Sequence, residues 1–208
     1  MNYEILLAFV IATSALAISP GPDNIYVLTQ SIVNGKKYGL ATVAGLISGC
    51  LVHTTLLAFG VSAIIKANAK IFFIIKILGA VYLLHLAYKI YASDASLVLG
   101  KGGVPLKSTA SLFRQGFVMN VLNPKVTIFF LAFFPGFLFS DSLSTVFQFY
   151  VLGFLFMFVS AIIFSGIAVL SGTVSEFITR NNNLGIFLKW MQIVVFVGIA
   201  IYLFLSDK

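Results

Sequence analysis

The sequence predicts an all-α polytopic membrane protein: six transmembrane helices arranged as two inverted three-helix repeats, with the first helix of each half interrupted. Three observations predict this. Apolar residues make up 60% of the 208 and charged residues 9%, where soluble domains hold about 45–50% and about 25%. Apolar runs cover residues 4–34, 39–65, 71–92, 111–139, 143–171 and 184–205, each as long as the roughly 20 residues that span a bilayer. The run lengths go long, long, short, and then repeat that order.

Residues 4–34 would form a helix of roughly 45 Å if straight, against a hydrocarbon core of about 30 Å. Ser19-Pro20-Gly21-Pro22-Asp23-Asn24 lies near its middle, and proline and glycine unwind a helix there. Ala15-Leu16-Ala17 resembles a signal cleavage site, but Glu4 is the only nearby charge and no basic segment precedes it, so this helix is expected to stay. In the second run Ala41, Gly45 and Gly49 recur every four residues, a smooth strip for close helix packing. His53 continues that strip one turn on, turned toward protein or cavity rather than lipid. Cys50 reads as a small packing residue.

In the third run, His85 and Lys76 have weaker functional cases than His53, and Lys76 lies close enough to the helix start to snorkel to the headgroups. Tyr88, Tyr91 and Trp190 read as interfacial belt aromatics. Residues 93–110, with Gly100, Gly102, Gly103 and Pro105, read as a linker between repeat 1 (about 1–92) and repeat 2 (about 111–208) of a single transmembrane domain spanning 1–208. The fourth run is again too long for one straight span, and Asn123-Pro124-Lys125 breaks it near its middle. Phe129, Phe130, Phe133 and Phe134 follow; periodicity does not decide between lipid, packing and pocket for them. The fifth and sixth runs are uninterrupted, and Gly198–Leu203 weakly echoes Gly79–Leu83.

Three spans per half bring the second half into the membrane from the opposite side, so the repeat is inverted. Secondary transporters use this architecture, with paired interrupted helices at the binding site. Lys36, Lys37, Lys89, Lys101, Lys107, Arg114, Arg180 and Lys189 lie near one set of loops, and Lys66, Lys70 and Lys208 near the other. The positive-inside rule then places both termini outside and the 93–110 linker in the cytoplasm.

Unwound backbone inside a bilayer persists only where it is buried in protein or lines a wet cavity, so both breaks should face inward. Half-helices starting near Pro22 and Pro124 present unpaired N–H groups that attract carboxylates. Asp23 and Lys125 cost about 2.5–3.5 kcal/mol each at that depth and need a reason. One reading pairs Asp23 with a substrate ammonium or a proton and Lys125 with a substrate carboxylate; the other is a structural ion pair between the two. The candidate substrate-binding residues are Gly21, Pro22, Asp23, Asn24, Asn120, Asn123, Pro124 and Lys125, with Asp23 and His53 as candidates for proton coupling and Gly45 and Gly49 for packing.

The net charge of +7 is scattered through short loops rather than gathered on one face, so no nucleic-acid partner is expected. HExxH, GxSxG and Cys/His metal spacings are missing from the sequence, which argues against an enzyme and against a metal or other cofactor. The partners expected are a small substrate bearing an ammonium and a carboxylate, and the lipid bilayer; a homo-oligomer is compatible with the pattern. A channel or a non-transporting accessory subunit are the alternatives to a secondary transporter.

Ser19–Leu28 (SPGPDNIYVL), Gly35–Gly49 with Val52-His53, Lys76–Leu83 (KILGAVYL) and Arg114–Phe134 (RQGFVMNVLNPKVTIFFLAFF) resemble, in order, the lysine exporter and homoserine/threonine resistance (LysE/RhtB) family of bacterial amino-acid exporters. The resemblance implies a six-helix inner-membrane protein that exports amino acids or their derivatives, driven by the proton gradient or membrane potential. The SPGPDN form is more similar to the branch that handles neutral amino acids. One departure is Pro135-Gly136-Phe137, where relatives commonly read Pro-Gln-Phe.

Overall fold

Asn2 begins the first helix by accepting the backbone N–H groups of Glu4 and Ile5 at 3.0 and 3.4 Å, which supplies partners for donors that a helix start otherwise leaves orphaned. The computed structural model describes residues 2–19, 21–67, 69–93, 107–180 and 184–205. Helix α1 runs Tyr3–Ile18 and α2 runs Pro22–Asn34. Between them Ser19 (ψ 117°) and Gly21 (φ −155°, ψ 177°) are extended. Pro22 takes the first helical position, where its missing N–H costs nothing.

Gly35 alone turns the chain from α2 into α3 (Lys36–Leu56). Its φ of +97° is in the region that favours glycine. α3 continues through a π-helical turn, Leu57–Val61, into α4 (Ser62–Ala67), and α5 is Ala69–Ala92. Ser108 caps α6 (Thr109–Val121) by accepting the Ser111 N–H at 3.2 Å. α7 (Pro124–Ile128) runs on through a π-helical turn, Phe129–Phe133, and a 3-10 turn, Phe134–Phe137. Helices α8 (Thr145–Val169), α9 (Ser171–Arg180) and α10 (Leu184–Leu205) complete the order. Gln148, buried in α8, holds the preceding loop: it accepts from the Phe139 and Ser140 N–H groups and donates to the Ser140 and Leu143 carbonyls.

Among the described residues Lys36–Ile64, Lys70–Ala92, Thr145–Val169 and Gly185–Leu205 are each long and apolar enough to cross a bilayer, and the two pairs α1/α2 and α6 with the α7 segment, each bent by more than 40°, bring the spans to six where each bent pair counts as one. The protein is a multi-pass membrane protein. The second span packs on the fourth (α3 on α6) and the fifth on the first (α8 on α1 and α2); α3 also packs on α8, and α5 on α10.

Lipid gives helices no hydrophobic reason to associate, so close backbone approach must supply the attraction. At the α3/α6 crossing a Cβ on Gly45 would collide with the Phe113 carbonyl, and one on Gly116 with the Thr42 carbonyl. At α3/α8 a Cβ on Gly153 would collide with Thr54.

Two expectations change, and one falls outside what is described. The linker read at 93–110 falls largely on residues 94–106, outside the described residues. Residues 171–180, read as connection, form the amphipathic helix α9, which packs on α2 and α8; its alternation of small polar and apolar residues at helical spacing is too short to register as a span. Lys76 does not reach outward but is buried, its Nζ 5.5 Å above the Phe73 ring.

Candidate functional site

A helix that stops inside a bundle leaves its last carbonyls without intrahelical partners. At the end of α1 the Lys125 ammonium donates to the Leu16 and Ser19 carbonyls at 3.2 and 3.1 Å, and the Asn24 amide reaches back to the Ala17 carbonyl at 2.7 Å. A cation at this end also suits the helix dipole. Gly21 borders the arrangement, where a Cβ would make only ordinary contact with Lys125 Nζ at 3.6 Å.

Asn123 organises the second break. Its Oδ1 caps α7 by accepting the Lys125 backbone N–H at 3.0 Å, while its Nδ2 donates to Asp23 Oδ2 at 2.7 Å. Pro124 occupies the first position of α7. At the end of α6, His53 Nε2 donates to the Asn120 carbonyl at 3.1 Å, with its ring 5.4 Å from that of Phe130. The Cys50 thiol donates to Asn120 Oδ1 at 3.6 Å. Gly49 makes space for this amide, because a Cβ there would lie 2.7 Å from Asn120 Oδ1.

Gly21, Asp23, Asn24, Asn120, Asn123 and Lys125 border one internal cavity of about 30 Å³. Pro22, Pro124 and His53 do not border it; the prolines shape the backbone and His53 holds the Asn120 carbonyl. Leu16, Ala17 and Val126 also border it, and Cys50, Phe156, Ser160 and Phe164 complete the wall. The last three sit at four-residue spacing on α8, a helix apolar all round, where nothing in the sequence separates the face that meets the cavity from the face that meets lipid.

Two expectations are corrected by this geometry. Among the described residues, Asp23 and Lys125 form no ion pair with each other: neutral groups hold each in place, the Asn123 amide for one and α1 carbonyls for the other. The start of α7 is also not an open anion seat, since Asn123 caps it; no side chain caps α2, and Asp23 stands in its first turn. The Lys125 ammonium has three donors, two of which meet the Leu16 and Ser19 carbonyls.

The phenylalanines that follow the second break pack inward. Phe130 stacks on Phe134 with centroids 4.1 Å apart and meets Phe156 edge-on at 5.0 Å, and Phe9 of α1 meets Phe134 and Phe137 at 4.9 and 5.3 Å. These rings lie between the cavity and the end of the molecule where the Asn2 N–H bonds the Phe139 carbonyl. At Gly136 the place of a side chain is filled by Tyr202, which donates to the Gly136 carbonyl at 2.8 Å and would stand 2.9 Å from a Cβ. A larger groove of about 670 Å³ between α1 and α10 has an apolar lining with Glu4 at its mouth and holds none of the break residues.

Comparison with known proteins agrees with the fold and the motifs. The chain is 28% identical to an uncharacterized membrane protein of Vibrio cholerae over 88% of each chain. It is 28% identical to the homoserine/homoserine lactone efflux protein of Salmonella typhimurium over 86% of this chain and 85% of that one. It is 26% identical to the leucine efflux protein of Klebsiella pneumoniae over 96% and 93%. No solved structure matches. The sequence model of the LysE type translocators matches residues 14–207, and the chain belongs to that family.

Proposed function

We propose that this protein is a secondary transporter that exports a small neutral amino acid, binding its ammonium at Asp23 and its carboxylate at Lys125. One observation carries the reading: a carboxylate and an ammonium border the same cavity without pairing with each other. Opposite charges at such depth ordinarily neutralise one another. Held apart by neutral partners, they match the two ends of a zwitterion. Two of the three Lys125 donors serve α1 carbonyls, which leaves one for cargo.

A cavity of about 30 Å³ holds one or two waters, since a water needs about 10–15 Å³, and is too small for an amino acid. The site must therefore widen to load. Rocking of one half against the other around the breaks supplies that motion, with each half exposing the site in turn. The packed rings form the barrier on the side that carries the termini. Names of the relatives, efflux proteins for homoserine and its lactone and for leucine, support amino-acid export.

The membrane is the bacterial inner membrane, with both termini outside. Lys189 Nζ, near the start of α10, bonds the Ser93 carbonyl past the end of α5 at 2.6 Å. That gathers the ends richest in Lys and Arg on one face, which the positive-inside rule assigns to the cytoplasm. Asp23 and His53 are the groups available to couple export to protons, and a homo-oligomer is compatible with the exposed apolar helix faces.

The test is counterflow in proteoliposomes loaded with a panel of neutral amino acids. The native protein is expected to exchange at least one of them, and Asp23→Asn and Lys125→Ala to abolish that exchange while still inserting. Exchange that survives both substitutions would sink the reading.

A further inference from the structure

Hydroxyls in the middle of these helices share a habit. Ser14, Ser31, Thr42, Ser48 and Thr54 each donate to the carbonyl four residues earlier, at 2.7–3.1 Å, which satisfies a polar group inside an apolar helix. Ser160 breaks the habit. It sits in the interior of α8, is 1% exposed, and its hydroxyl has no hydrogen-bond partner among the described residues. Thr13, Ser19, Tyr26 and Ser62 also carry unpartnered buried hydroxyls, but Ser160 borders the cavity and they do not.

Its surroundings define what it would bind. Phe156 and Phe164 lie one turn to either side on α8 and border the same cavity, so the hydroxyl is set between two phenyl rings. With Asp23 and Lys125 engaged by the cargo's ammonium and carboxylate, no further charged side chain borders the cavity, and a charged cargo side chain would be buried without a counter-ion. A hydroxyl both donates and accepts, which suits a second hydroxyl. An unpaired buried group is also a penalty that only a hydrogen-bonding cargo removes, and such a site discriminates against an analogue lacking that group more sharply than an apolar pocket discriminates by size.

We propose that Ser160 is the residue that selects the cargo's side chain: it hydrogen-bonds a hydroxyl on a short side chain held between Phe156 and Phe164, so the transporter prefers hydroxylated amino acids to aliphatic ones of the same shape. This rests on the zwitterion site proposed above. It adds a determinant on α8 that neither break contains.

Threonine and valine have the same shape with a hydroxyl exchanged for a methyl, so counterflow of this pair reads the determinant directly. The native protein is expected to favour threonine about tenfold. Ser160→Ala should bring the ratio to about one, by loss on threonine with valine exchange kept, and Ser160→Thr, which keeps the hydroxyl, should retain the preference. Because Ser160→Ala removes an unpaired buried hydroxyl, its melting temperature should equal or exceed the native one, which separates selection from misfolding. A native protein that exchanges both equally or favours valine, or a preference that survives Ser160→Ala, overturns the proposal and leaves the zwitterion site standing. Exchange of no amino acid by the native protein overturns both.

Discussion

Asn123 in the second break donates to Asp23 in the first, Nδ2 to Oδ2, at 2.7 Å across 100 residues of chain. The same amide caps α7 through its Oδ1, so one side chain both starts a helix and ties it to the other half. The two jobs are separable. Asn123→Ser keeps an N-cap oxygen and loses the reach to Asp23; Asn123→Ala loses both. Caps contribute about 1 kcal/mol, so the Ala variant should be less stable than the Ser variant by about that amount in thermal unfolding of the purified protein. Counterflow should fall in both to a similar degree, because transport depends on the Asp23 contact. Equal stability of the two variants would show that the cap contributes nothing.

Lys125 likewise has a structural role and, in the proposed function, a ligand role. Two donors hold the end of α1, and the positive charge is left for a carboxylate. Lys125→Gln retains an amide that donates to carbonyls but carries no charge, whereas Lys125→Met can do neither. The Gln variant should insert and unfold near the native temperature yet lose exchange at least tenfold, and the Met variant should lose stability as well. Native-like exchange in the Gln variant would mean that Lys125 serves the break alone.

The breaks themselves were legible because proline, glycine and an Asn-Pro pair have local chemistry that no tertiary context cancels. The six spans were legible because the bilayer fixes their length. Which partner each polar group takes was not: the alternatives of an Asp23–Lys125 ion pair and two separate ligand groups have the same sequence, and only the geometry gives Asp23 to Asn123 and Lys125 to α1. The α8 wall was missed for a different reason. Phe156, Ser160 and Phe164 lie in a helix whose lipid face is as apolar as its inner face, so no periodic signal marks the side that α3 and α2 pack upon. The phenylalanines after the second break were open between lipid and core on the same ground, and they prove to be core.

Close approach of α3 and α6 depends on backbone that has no room to yield. A Cβ on Gly45 meets the Phe113 carbonyl and stands 2.9 Å from the Phe117 nitrogen, so Gly45→Ala should force the helices apart and cost about 1–3 kcal/mol. Gly172, with nothing within 4 Å of an added Cβ, is the control. It lies in α9, where alanine is the better helix former by up to about 1 kcal/mol. Thermal unfolding in detergent should place Gly45→Ala below the native protein and Gly172→Ala at or above it. A neutral Gly45→Ala would mean that the crossing is looser than its geometry.

Phe156 belongs to two structures at once. It borders the cavity, and its ring packs on Phe129, Phe130 and Phe134 at 5.7, 5.0 and 5.9 Å, so it is the wall between the site and the ring barrier. Trimming it joins the cavity to the space the ring vacates and weakens the barrier on one side of the alternating cycle. Phe9 is the contrasting case. It is fully buried against Phe134 and Phe137 but does not border the cavity. Phe→Ala in a packed core costs about 3–5 kcal/mol, so both variants should lose stability, and stability alone does not distinguish them. The distinguishing measurement is efflux from cargo-loaded proteoliposomes with and without cargo outside. A native carrier should release its load faster when external cargo permits exchange. Phe156→Ala should leak at nearly the same rate in both conditions, and Phe9→Ala should keep the native dependence. Retained exchange dependence in Phe156→Ala would place the barrier elsewhere than in these rings.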